Sequence, residues 1–211
     1  NMRRRFSAVL LSLGVLALLS SCSGGQGGAA SPSAAPTPSA TPSASAPSAS
    51  PTDGGEARPA GVMSSFTATD LEGNEFDASL FADYDLTMVN IWATFCSPCI
   101  DEMPELGELH EEYADKGFQI VGLVADTLNQ DGTLDPDQVD TAKEIVEQTG
   151  ADYTHLLPSP DLFGIVAQAT SVPTTFFVDK EGVQVGYAYL GSRSKADWTA
   201  IIDPLLSEVG K

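Results

Sequence analysis

The chain predicts an α/β domain, and three stretches carry that expectation. Thr87-Met88-Val89-Asn90-Ile91-Trp92 is a short, mostly apolar run with a β-branched bias, followed by a helical pattern in which Ile100, Met103, Leu106 and Leu109 recur at three-residue steps. Phe118-Gln119-Ile120-Val121-Gly122-Leu123-Val124 repeats the strand signal. Near the C-terminus, Thr174 to Val178 and Gln184 to Tyr189 flank the turn Asp179-Lys180-Glu181-Gly182, which reads as a hairpin.

The N-terminus reads differently. Arg3-Arg4-Arg5 precede an apolar run from Phe6 to Leu19, and Ser20-Ser21-Cys22 follow, so residues 1–21 are expected to be an export leader too short to span a membrane as a mature helix. Leu19-Ser20-Ser21-Cys22 resembles the bacterial lipobox, which makes Cys22 a lipidation site rather than a redox residue. Residues 22–60 are rich in Ser, Ala, Pro, Thr and Gly, with almost nothing large and apolar to offset ordering entropy, and are expected to be a disordered tether. Its reach is roughly 35 Å on a flexible-coil estimate. Residues 61–211 have the length of one domain with a full core.

Within that domain the elements are expected in order. Ser65 to Ala68 and Glu75 to Asp77 flank a Leu71-Glu72-Gly73-Asn74 turn. The strand at 87–92 feeds a helix running to Asp115 or Lys116, where Gly117 stops it. The strand at 118–124 leads through a polar loop with Asp131-Gly132 and Asp135-Pro136 to a helix from Gln138 to Gln148. A short strand at 153–156, a helical stretch at 160–168, the hairpin and a helix from Lys195 to Val209 complete the chain.

Cys96 and Cys99 stand where the strand gives way to the helix. Unpaired N–H groups and the positive end of the helix dipole favour a thiolate there, so Cys96 is the expected nucleophile. Cys99, one turn further in, suits the resolving role that breaks a mixed disulfide. Pro98 falls in the first turn, where its missing N–H removes no helical hydrogen bond. Such a pair cycles between dithiol and disulfide and needs no other cofactor. A zinc site needs four ligands, yet the chain offers one other cysteine and two histidines, His110 and His155, so no metal is expected. Covalent haem would require His after Cys99, where Ile100 stands. A purely structural bridge would close almost no loop and add little stability. Phe95 is expected to form an apolar substrate platform, Trp92 to lie in the core, and His110 and His155, with no partner evident, to be surface or ordinary packed residues.

Trp92 to Cys99, Val172-Pro173-Thr174-Thr175-Phe176 and the Asp179 to Gly182 turn together resemble the thioredoxin superfamily. The lipoprotein-type leader, the β-rich opening segment and the extra helix-strand unit between about Asp126 and Leu157 resemble its TlpA/ResA-like membrane-anchored branch. The resemblance implies a thioredoxin-like fold: a central mixed β-sheet flanked by helices, with an N-terminal β-hairpin and a central helix-strand insertion. It implies a cis bond before Pro173, beside the two cysteines, with the Val172 backbone pairing to a substrate peptide. Phe95, Ser97, Pro98, Val172 and Pro173 are then the candidate substrate-binding residues. Thioredoxin's buried Asp beneath the cysteines is replaced here by Asn90, expected as a hydrogen-bonded buried polar group. TlpA/ResA-like proteins also lack that Asp and carry a Glu three residues after the second Cys, matching Glu102. Glu102 is therefore a candidate catalytic acceptor of the Cys99 proton; the competing expectation is a solvated first-turn acid like Asp101 and Glu105.

A strong oxidant commonly stabilises its thiolate with a cation between the cysteines, and Ser97-Pro98 supplies none. Asp101, Glu102 and Glu105 oppose thiolate formation, so the expected potential lies nearer about −270 mV than about −120 mV. The expected function is reduction of protein disulfides at the extracytoplasmic face of the bacterial cell membrane, with the lipid anchor as the membrane attachment. The resemblance implies service to cytochrome c maturation or to methionine sulfoxide reductases, with electrons from a membrane thiol carrier of the CcdA or DsbD type. A disulfide-forming oxidase and a non-catalytic binding lipoprotein are the alternatives. A peroxiredoxin-type peroxidase is disfavoured, because Ala93 and Cys96 occupy the Thr positions of its Pro-x-x-x-Thr-x-x-Cys pattern. Residues 61–211 carry six Lys or Arg against 27 Asp or Glu, a net charge of −21, so nucleic acid and anionic headgroups are poor partners. A monomer exchanging with protein thiols and disulfides is expected.

Overall fold

The computed structural model describes residues 62–210. The leader at 1–21, the lipidation candidate Cys22 and the tether lie outside the described residues.

Strands β1 (Thr67–Thr69) and β2 (Glu75–Asp77) pair antiparallel. Asp70 closes their turn, its carboxylate accepting from the Glu72 and Asn74 N–H groups and the Asn74 amide, while Gly73 takes the left-handed conformation. The main sheet holds β3 (Leu86–Trp92), β4 (Phe118–Val124), β5 (Thr154–Leu156), β6 (Thr174–Val178) and β7 (Gln184–Leu190) in the order β5-β4-β3-β6-β7. β3, β4 and β5 are parallel, β6 runs antiparallel to β3, and β7 antiparallel to β6. The expected central mixed sheet is therefore present, and the helices are α1 (Ser97–Tyr113), α2 (Pro136–Thr149), α3 (Phe163–Gln168) and α4 (Lys195–Val209).

Every residue of β3 and β4 is buried, which is why both read as continuous apolar runs rather than alternating ones. Successive side chains still point to opposite faces. Met88, Trp92, Ile120 and Phe177 pack with Met103, Leu106 and Leu109 of α1 and with Trp198 and Ile202 of α4. Val89, Ile91, Val121, Leu123 and Phe176 pack on the other face with Phe66, Phe81 and Ile165. Asn90 shares the first face, so the strand's period of two aims it at α1.

Element boundaries shift from expectation where local hydrogen bonding decides them. α2 begins two residues early because Asp135 caps it, its carboxylate accepting from the Asp137 and Gln138 N–H groups with Pro136 in the first turn. α3 starts at Phe163 rather than residue 160, since the Ser159 carbonyl and hydroxyl hold Leu162 in a preceding turn. α1 ends at Tyr113 and tightens into a 3-10 turn over Ala114–Lys116 before the left-handed Gly117. The first strand begins at Thr67, not Ser65, and Phe66 goes to the core.

The histidines are packed residues, one of the two expected placements, and each has a partner that was not evident in the sequence. His110 Nδ1 accepts the Ile120 N–H at 3.1 Å, on an edge of β4 that β5 leaves open by pairing only from Val121. His155 is buried opposite Gly122. Its Nδ1 accepts from Trp92 Nε1 at 3.1 Å and its Nε2 lies 3.0 Å from the Ala151 carbonyl, so these partners assign the tautomer with the proton on Nε2. A Cβ on residue 122 would strike the imidazole, so Gly122 makes the room that lets His155 reach Trp92.

Burial holds the His155 imidazole well below its usual range, to about 4. The unfolded imidazole binds a proton below about 6.5 and the folded one only near 4, so this group's stabilisation is complete above 6.5 and is lost as pH falls. Between pH 7 and pH 5 the wild-type chain is expected to lose about 2 kcal/mol of unfolding free energy relative to a His155→Asn variant. Denaturant titrations at the two pH values measure this, and parallel pH dependence in both proteins would contradict it.

Candidate active site

The end of β3 and the start of α1 are joined by Ala93-Thr94-Phe95-Cys96, and that short link fixes the chemistry's position. The Cys96 N–H donates to the Ala93 carbonyl at 3.1 Å, and the Cys96 carbonyl accepts from the N–H groups of Cys99 and Ile100. Cys96 is the N-cap of α1, its Sγ accepting the Cys99 N–H at 3.3 Å. Side-chain capping by sulfur places the atom where orphan N–H groups and the helix dipole converge. Cys96 and Cys99 are joined by a disulfide. Cys99 is 1% exposed and Cys96 6%, so Cys96 is the more exposed of the two residues.

Around the pair, Phe95 is 75% exposed, and Ser97 and Pro98 are also at the surface. Val172 is half-buried against the apolar cluster that contains both cysteines, and the Val172–Pro173 peptide bond is cis. The register Ile91↔Thr174 sets Pro173 alongside the C-terminal end of β3, and its carbonyl accepts the Gly191 N–H. Phe95, Ser97, Pro98, Val172 and Pro173 thus gather at one end of the sheet.

Glu102 follows Cys99 by three residues on α1, and the expectation of a solvated first-turn acid is overturned: it is 4% exposed. Its Oε1 accepts from Asn90 Nδ2 at 3.1 Å, and its Oε2 accepts from the Arg193 backbone N–H at 3.1 Å and from Trp198 Nε1 at 3.4 Å. Burial raises its pKa, and the three donors together with the Arg193 charge pull it partly back. Asn90 is the buried hydrogen-bonded polar group expected, its amide also donating to Thr175 Oγ1. The Arg193 guanidinium lies 5.0 Å and 5.2 Å from the Tyr189 and Trp198 ring centroids and donates to the Leu190 and Gly191 carbonyls. Glu105 accepts the Lys195 N–H, so two acids of α1 hold the segment that opens α4.

Sequence reasoning missed four participants: Trp198, Arg193, Thr175 and Asp126. The first three meet the site only through tertiary contacts, 85 to 96 residues along the chain from their partners. Asp126 holds the Thr94 N–H and hydroxyl, and no local motif marks it. Among the described residues no group of three or more His, Cys, Asp or Glu is disposed to hold a metal, and no helix is long and apolar enough to cross a membrane.

Comparisons with known proteins agree with this geometry. The family model described as AhpC/TSA matches residues 60–185. A thiol-disulfide oxidoreductase ResA of Bacillus thuringiensis (strain Al Hakam) is 29% identical over 139 residues, 62% of this chain and 69% of the relative. A thiol:disulfide interchange protein DsbE of Vibrio cholerae is 28% identical over 151 residues, covering 70% and 73%. Among solved structures, a thiol:disulfide interchange protein of the thioredoxin family from Chlorobium tepidum TLS superposes with a TM-score of 0.56 at 28% identity, covering 72% of this chain and 99% of that one. The chain carries its bonded cysteine pair on a thioredoxin-like fold and belongs to the AhpC/TSA family.

Proposed function

We propose that the chain is a thiol–disulfide oxidoreductase that reduces disulfides in protein clients outside the cytoplasm, held at the bacterial membrane by lipid on Cys22. The observation that carries the reading is the Cys96–Cys99 bridge at the N-terminus of α1, with Cys96 the more exposed residue of the pair. The curated relatives named as thiol–disulfide oxidoreductases support it. The Arg3-Arg4-Arg5 leader and Leu19-Ser20-Ser21-Cys22 support export and anchoring.

In the reduced protein the Cys96 thiolate attacks one sulfur of a client disulfide. A Cys96–client bond forms and the second client sulfur leaves as a thiolate. Cys99 then gives up its proton, attacks Cys96 Sγ and displaces the first client sulfur, so the client gains two electrons and two protons and the chain is left as the disulfide. Phe95, Ser97, Pro98, Val172 and Pro173 surround the point of attack, and the Val172 backbone is the pairing strand for the client segment. Glu102, one turn along α1 from Cys99, accepts the Cys99 proton in this scheme, since side chains three apart on a helix are neighbours. Electrons return through a membrane thiol carrier of the CcdA or DsbD type, and cytochrome c maturation or methionine sulfoxide reduction is the client pathway.

Charge supports this direction. Asp101, Glu102 and Glu105 lie on the first two turns of α1 and Asp126 binds Thr94, so the surroundings oppose the stable thiolate on which a strong oxidant depends.

A Cys99→Ser variant is expected to accumulate a mixed disulfide between Cys96 and a disulfide-bonded peptide, detectable by intact mass, while Cys96→Ser accumulates none. Trapping through residue 99 in the second variant would reverse the assigned roles. Glu102→Gln is expected to slow release of the reduced client roughly 100-fold while leaving mixed-disulfide formation intact. Because burial raises the Glu102 pKa, the wild-type release rate climbs as pH rises through a value above the ordinary carboxylate range, and the Gln variant loses that limb. Stopped-flow release measured across pH decides this; an unchanged profile would leave Glu102 a purely structural acid.

A further inference from the structure

We propose that Asp126 is a positioning residue for the nucleophile's turn, and that its fixed charge holds back the thiolate on Cys96. The inference rests on Cys96 as the attacking sulfur. Asp126 stands just beyond β4, on the loop leading to α2, and its two carboxylate oxygens lie 3.1 and 3.0 Å from the Thr94 backbone nitrogen. Oδ2 also accepts the Thr94 hydroxyl at 2.6 Å. Gln138, in the first turn of α2, donates from Nε2 to both the Thr94 hydroxyl oxygen at 3.0 Å and Asp126 Oδ2 at 3.2 Å. One carboxylate from the loop and one amide from α2 therefore fix the residue two before Cys96.

Thr94 lies two residues before Cys96, no more than about 7 Å from Cα to Cα, so the carboxylate bound to it neighbours the nucleophile's turn. The carboxylate is half-buried and oriented by four donor contacts, so its charge acts on Cys96 Sγ from a constant position. Around the cysteines, Asp101 and Glu102 of α1 act in the same sense, while the α1 N-terminus and, from the segment before α4, Arg193 oppose them. Geometry and charge are combined in one side chain: it holds the turn that displays Phe95 and Cys96, and it disfavours the thiolate there. The insertion of α2 and β5 thereby bears on the redox site.

Asp126→Asn separates the two effects, since the amide oxygen still accepts from Thr94 while the charge is gone. In the reduced full-length chain, iodoacetamide labelling of Cys96 at pH 6, followed by peptide mass analysis, is expected to run about threefold to tenfold faster than in wild type. Asp126→Glu, which keeps the charge, is expected to stay within about twofold. If the Asn variant does not fold, Asp126→Ser carries the same expectation. Labelling at the wild-type rate in a folded neutral variant would overturn the proposal and leave Cys96 as nucleophile. Preferential labelling of Cys99 in wild type would overturn the assignment of the attacking sulfur, and this inference with it.

Discussion

The chemistry depends on strand β3 being sealed on both faces and ending where α1 begins. Because its neighbours β4 and β6 are both in register along its length, β3 has no freedom to slide, and its last residue, Trp92, is pinned by packing and by the bond to His155. A one-residue slip would turn Asn90 and Trp92 to the opposite face and remove the support under α1. The four-residue link from Ala93 to Cys96 inherits this rigidity. A nucleophile on such a link reaches the helix N-terminus with little conformational freedom left to lose.

The second constraint is the carboxylate that the core accepts beneath the cysteines. Moving an ionised carboxylate out of water costs several kcal/mol even after relaxation. Hydrogen bonds to charged groups return roughly 1.5–3 kcal/mol each, and Glu102 receives three, from Asn90, the Arg193 backbone and Trp198. Burial outweighs these bonds, and the raised pKa expresses that excess. A raised pKa makes this carboxylate a stronger proton acceptor than an ordinary one, in the sense that the proposed role toward Cys99 requires. Two of these donors, the Arg193 N–H and Trp198 Nε1, tie α1 to the start of α4, so the proposed proton acceptor shares its bonds with the packing of two helices.

The sequence was most legible where the signal is local. Strand β4 and helix α4 match their expected limits residue for residue, because an apolar run of strand length and a capped amphipathic stretch are each specified by their own residues. The cysteine pair was likewise legible from its motif, and the cis bond at Pro173 from the family resemblance. The burial of Glu102 was not. Nothing in its own helix distinguishes it from Asp101 or Glu105; what decides is that Asn90 lies beneath it and that Arg193 and Trp198, some ninety residues later, close over it. His155 is a similar case, since its partner Trp92 is 63 residues away and its space exists only because residue 122 is glycine.

The proposal to be tested is that this thiol pair, set among negative charges, gives electrons rather than takes them. The most direct test is the equilibrium redox potential of the chain, titrated against dithiothreitol or glutathione with Cys96 and Cys99 trapped by alkylation. A value at or below about −220 mV is the result expected of a reductase. A value near about −120 mV would contradict the account and make the protein an oxidant that installs disulfides.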